Sequence, residues 1–193
     1  MTAPAAHSAE ARRPSARLIG LALVLAALAI VALAGGLRHA PVAAAEPTTA
    51  AVSDTVDSGL WTAAVTEATA VRTIDAYVPQ PGAWLLSVVI RIQVRGPDGR
   101  TAADLDRIAS LPGQPGLTAP APRWVVLRRD ASELAELNPN LPEEVEYLFE
   151  VDGGTPVPAR VIVQVSGYRT TRGHQWSDFG PLARVVVPVR NAR

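Results

Sequence analysis

Leu18 to Leu37 runs for twenty residues without a charge or a strongly hydrogen-bonding side chain. As a helix it would be about 30 Å long, the thickness of the hydrocarbon core of a bilayer. Eleven of the twenty are Leu, Ile or Val, each favouring insertion by roughly 0.3–0.6 kcal/mol. Core helices of water-soluble proteins seldom stay apolar on every face for that length. The run therefore predicts one transmembrane helix. It divides the chain into an N-terminal tail (1–17), a span (18–37), a flexible linker (38–58) and a C-terminal domain (59–193).

Arg12, Arg13 and Arg17 precede the span and Arg38 alone follows it. That imbalance predicts a cytoplasmic N-terminus and an extracytoplasmic domain on a single-pass cell-membrane protein. Two fates are open: retention as a signal anchor, or cleavage after the small residues ending at Ala45. Cleavable apolar regions usually measure ~7–15 residues, which favours retention. The chain has no cysteine, so it offers no thiol for a lipid anchor, a disulfide or a thiolate metal site. Eighteen basic and eighteen acidic side chains cancel, which argues against nucleic acid as a partner. His39 to Ser58 is rich in Ala, Thr, Pro, Ser and Val without alternation and reads as a tether. Thr48 to Val56 has some β-propensity within it.

Beyond Gly59 the pattern changes to period two. Trp84, Leu86, Val88, Ile90, Ile92 and Val94 fall on one side, and Leu85, Ser87, Val89, Arg91, Gln93 and Arg95 on the other. Half-buried strands produce such alternation, because successive side chains point to opposite faces. Val145, Tyr147, Phe149 and Val151 repeat it, as do Val161, Val163 and Val165. Further strands are expected at 60–71, 105–111, 124–128 and 182–189. Pro188 suggests that the last is an edge strand. A short helical turn is expected at 131–137, capped by Asp130 with Glu133 three residues on. Turn-forming clusters such as Pro97-Asp98-Gly99 and Asp152-Gly153-Gly154 separate the runs. Seven short strands in about 135 residues indicate an all-β, two-sheet antiparallel sandwich preceded by one transmembrane helix.

The run Pro81-Gly82-Ala83-Trp84-Leu85-Leu86-Ser87-Val88-Val89-Ile90 resembles the second strand of bacterial extracytoplasmic immunoglobulin-like domains of unknown function. Leu137-Asn138-Pro139-Asn140-Leu141-Pro142, followed by Val145 to Val151, resembles that group's later turn-and-strand signature. Asn140 stands where the group usually has glycine, and Arg95-Gly96 where it often has asparagine. The resemblance spans Gly59 to Val189. It implies an immunoglobulin-like sandwich on a single-pass membrane protein, and it brings no catalytic residues with it.

Candidate chemistry is sparse. His174, Trp176, Asp178 and Phe179 lie together before the last strand. They read as a solvated loop beside an aromatic plug, or as a binding loop at a sandwich end. One His and one Asp fall short of the three ligands of a catalytic metal site, and no Gly-x-Ser-x-Gly elbow accompanies them. Asp98, Asp104 and Asp106 fit no calcium loop. By parity Glu144, Glu146 and Glu150 face solvent, with Arg91 and Arg95 opposite some of them as cross-strand pairs. Leu85, Val89, Leu148 and Ile162 fall on the same outward face. They form either an exposed partner patch or a surface covered by the tether or by the loop around Leu117 to Pro122.

No cofactor, metal or catalytic set is expected. The leading expectation is a non-catalytic binding or accessory component of an envelope or transport complex with a protein partner. The alternatives are a secreted spacer domain cleaved after Ala45, or a hydrolase using His174 and Asp178.

Overall fold

The computed structural model describes residues 25–26, 46–74, 76–170 and 176–192. The chain divides into two units, Met1–Ala44 and Ala45–Arg193. Of the first, Leu25–Ala26 is a helical fragment, and the remainder of the expected span lies outside the described residues. Among the described residues no helix is long and apolar enough to cross a membrane.

The second unit is built of strands. In chain order they are β1 (Thr48–Ala50), β2 (Val56–Asp57), β3 (Trp61–Val71), β4 (Trp84–Val94), β5 (Arg100–Thr101), β6 (Ala109–Ser110), β7 (Trp124–Leu127), β8 (Glu136–Leu137), β9 (Pro142–Val151), β10 (Arg160–Thr170) and β11 (Trp176–Asn191); one helical turn, α1 (Ala102–Leu105), follows β5. The order β6-β10-β11-β3-β4-β9-β7 runs without a break. One layer is β3-β4-β9-β7, antiparallel throughout. The other is the β10–β11 hairpin with β6 on its edge and β1 lying parallel to β11. β11 belongs to both layers. It pairs with β10 as far as Pro188, then runs parallel to β3 from Val189 to Asn191.

The core lies between the layers. Trp84, Leu86, Val88, Ile90 and Ile92 from one layer join Val161, Val163, Val165, Val185 and Val187 from the other in one buried cluster. On β4 and β10 these are the positions that alternation assigns inward, and this unit is a β-sandwich. β3 keeps its inward face only through a bulge between Val65 and Glu67. The extra residue shifts the buried parity from Trp61, Ala63 and Val65 to Ala68 and Ala70. At the bottom of the core, the buried Tyr147 hydroxyl donates to the carbonyl of Leu105 at 2.8 Å. Complete burial pushes its phenol far above the ordinary range. It therefore stays a neutral donor that ties α1 to β9.

Four expectations are corrected. The linker ends well before Ser58, because β1 and β2 are strands of the sandwich. Ala50, Val52 and Val56 pack on the core, and Ser58 is itself buried. Residues 131–137 are not a helix. Ala131 sits at φ 54°, and Asp130 closes a tight turn by accepting from both the amide and the hydroxyl of Ser132. The stretch 105–111 contributes the end of α1 and the two-residue β6 in place of a continuous strand. Finally, Pro188 is not on an edge strand. Val189 N–H donates to Ala159 O on the β10 side. The nitrogen of Pro188 therefore faces the opposite side, in the gap between the end of β1 pairing at Val185 and the start of β3 pairing at Val189. No ladder bond is lost there.

Candidate functional site

Of the four residues before the last strand, Phe179 is placed by the structure. It meets Tyr168 edge-on, with ring centroids 5.2 Å apart, and Tyr168 meets Trp61 in the same way at 5.7 Å. The Arg107 guanidinium sits 4.5 Å from the Phe179 ring centre. Trp61 is fully buried, so the three rings step from the core outward to a cation. This is an aromatic plug at one end of the sandwich. His174 lies outside the described residues, as do the side chains of Trp176 and Asp178.

The expected apolar patch does not assemble. Ile162 stands on the outer face of β10, 43% exposed beside Val186 at 46%. Leu85, Val89 and Leu148 lie on the other layer and are buried. A strap, residues 72–74 and 76–83, and the short strand β7 cover Leu85 and Leu148. Ile74 and Tyr77 pack with Trp124 over Leu85, Val126 and Leu148, forming a second small core. The Tyr77 hydroxyl donates to Ala131 O at 3.1 Å. Among the described residues, neither the tether nor the loop around Leu117 contributes to this small core.

The same cover corrects the reading of Glu150. Its side chain is 1% exposed, not solvated. One oxygen accepts from the Arg123 guanidinium and from the Gln80 amide. The other has no partner among the described residues. Arg123 in turn lies 4.6 Å from the centre of the Trp124 ring. Sequence parity missed this latch, although Leu85 directly opposite Glu150 signals that the face needs a lid. Glu144 does pair with Arg91, at 3.4 Å, and with Arg128, at 3.5 Å. Arg95 instead reaches back to Asp57, at 2.8 Å.

Two of the concavities among the described residues bear on binding. A wide cleft of about 740 Å³ runs beside β1, with Glu46, Asp54 and Asp57 on its walls. Asp54 and Asp57 already accept from the Ala51 and Gly59 amides. A pocket of about 380 Å³ opens at one end of the sandwich. There the end of β3, the start of β4, the loop after β9 and the end of β11 meet around Trp84, Arg72, Val157 and Asn191. The Trp84 indole N–H donates to Thr155 O at 3.2 Å, which fixes the ring against that loop. A Cβ on Gly153 would lie 1.5 Å from Gly82 O, so only glycine lets the two loops approach closely. Among the described residues, no carboxylate lines this pocket. Among the described residues, no group of three His, Cys, Asp or Glu side chains is arranged to hold a metal. The arrangement offers hydrogen bonds, one positive charge and apolar contact.

No family model matches the sequence, and no curated protein does. Two solved structures are similar. An uncharacterized β-sandwich protein from Clostridium difficile 630 is 8% identical with a TM-score of 0.48, covering 74% of this chain and 95% of that one. A "putative lipoprotein" from Staphylococcus aureus subsp. aureus NCTC 8325 is 10% identical with a TM-score of 0.40, covering 77% of this chain and all of that one.

Proposed function

We propose that the chain is a membrane-anchored, extracytoplasmic module with an immunoglobulin-like head, acting by non-covalent binding as an accessory component of an envelope or transport complex. The carrying observation is where the folded unit begins. It starts at Ala45, eight residues after the apolar run ends at Leu37, so only residues 38–44 separate the two in sequence. A head on the same chain as a membrane span has a raised effective concentration for membrane partners. The head's binding features suit recognition: a loop-built pocket at the sandwich end and exposed aliphatic side chains on β10 and β11. The immunoglobulin-like detail rests on the motifs at 81–90 and 137–151.

The same boundary supports a second reading. A cut after Ala45 leaves β1 whole, so a secreted head would keep its complete fold. Intact-mass measurement of membrane and culture-fluid fractions separates the two. The anchored reading predicts the uncut chain in membranes, resistant to a carbonate wash. A mature species starting at Glu46 in the fluid would replace it with the secreted reading.

A further inference from the structure

Resting on the reading of the head as a binding module, we propose that the pocket at the sandwich end takes a small amphiphile with an anionic head group. Its volume, about 380 Å³, falls in the range of small-ligand sites. Trp84, Ala70, Pro156 and Val157 supply an apolar wall. Val157 is 39% exposed and is one of the few large aliphatic side chains left in water. The wall is rigid, because the Trp84–Thr155 hydrogen bond and the Gly153–Gly82 approach hold both loops.

Charge sets the head group. Arg91, Arg95, Arg123, Arg128 and Arg129 are each ion-paired. Arg72, at the pocket mouth, is exposed and has no ion pair among the described residues. Among the described residues, no acidic side chain lines the pocket to neutralise it. A guanidinium in that position matches the two oxygens of a carboxylate or of a similar oxyanion. Asn191 adds a second polar side chain to the lining. An apolar tail on Trp84 and Val157 with its anion on Arg72 uses both halves of the site. A cationic amphiphile of the same length would satisfy the wall and meet repulsion at the mouth.

The test uses the full chain, labelled with 5-fluorotryptophan, in nanodiscs of zwitterionic lipid, with Trp84→Phe assigning the resonance. Octanoate and octylammonium are the probes, and empty nanodiscs serve as blanks. Octanoate is expected to shift the Trp84 signal saturably, with a dissociation constant on the order of 1 mM. Octylammonium is expected to leave it unmoved. Arg72→Glu is expected to weaken octanoate binding about tenfold or more, the effect of a lost charged hydrogen bond, while Arg72→Lys retains most of it. The unchanged signals of the other tryptophans would show that both variants fold. Equal binding of the two probes, no effect of Arg72→Glu, or a Trp84 signal indifferent to octanoate would each overturn the proposal. None of these outcomes touches the membrane topology of the head, which is measured separately.

Discussion

At the scale of single residues, the most consequential side chain is Glu150. A buried carboxylate is costly unless it is paired, and among the described residues its side-chain partners are Arg123 and the Gln80 amide. Arg123→Ala should therefore destabilise the fold by roughly 1–3 kcal/mol in denaturant unfolding, discounted because Arg123 itself is half exposed. Adding Glu150→Leu should recover much of that loss, since the orphaned charge goes with it. Glu67 carries the acid sensitivity of the outer face. Partial burial raises its pKa, but the Thr69 hydroxyl and the Arg128 guanidinium outweigh this and hold it below its ordinary value of 4.5. A lowered carboxyl stabilises the folded state above the unfolded value and loses that contribution as pH falls through its folded value. Stability should thus be flat above about pH 5 and fall on acidification, and Glu67→Gln should flatten part of that slope. Unfolding midpoints at several pH values check this.

Strand faces were the most legible elements. In β4, β9 and β10 the period-two pattern named the inward residues, because a half-buried strand must alternate. Alternation reads only one layer deep, however. It marked Leu85, Val89 and Leu148 as outward but could not say that Ile74 and Tyr77 of the strap return over two of them. It also fails for elements too short to alternate. β1 and β2 have three and two residues, and they passed for tether. The residues at 131–137 carry helix-like capping signals, yet Asp130 spends its carboxylate on Ser132 and Ala131 turns left-handed. The pocket was invisible to the sequence because Arg72, Trp84, Val157 and Asn191 come from four separate parts of the chain. The β1 correction yields a clear test. A head trimmed to begin at Glu46 should match the longer chain in stability. One trimmed to begin at Gly59 should lose roughly 2–4 kcal/mol, because the core contacts of Ala50, Val52 and Val56 go with it.

At the scale of the whole molecule, two sheets share one core and one strand, and β11 is the hinge between them. The head therefore needs no disulfide, consistent with a chain lacking cysteine. That absence also makes the central claim directly measurable. Single cysteines at Ser8, in the N-terminal tail, and at Asp98, in an exposed turn of the head, can be labelled in intact cells with a membrane-impermeant maleimide. The account predicts that Asp98→Cys is labelled in intact cells and that Ser8→Cys reacts only after the cells are opened. Labelling of Ser8→Cys in intact cells, with Asp98→Cys protected until lysis, would contradict it.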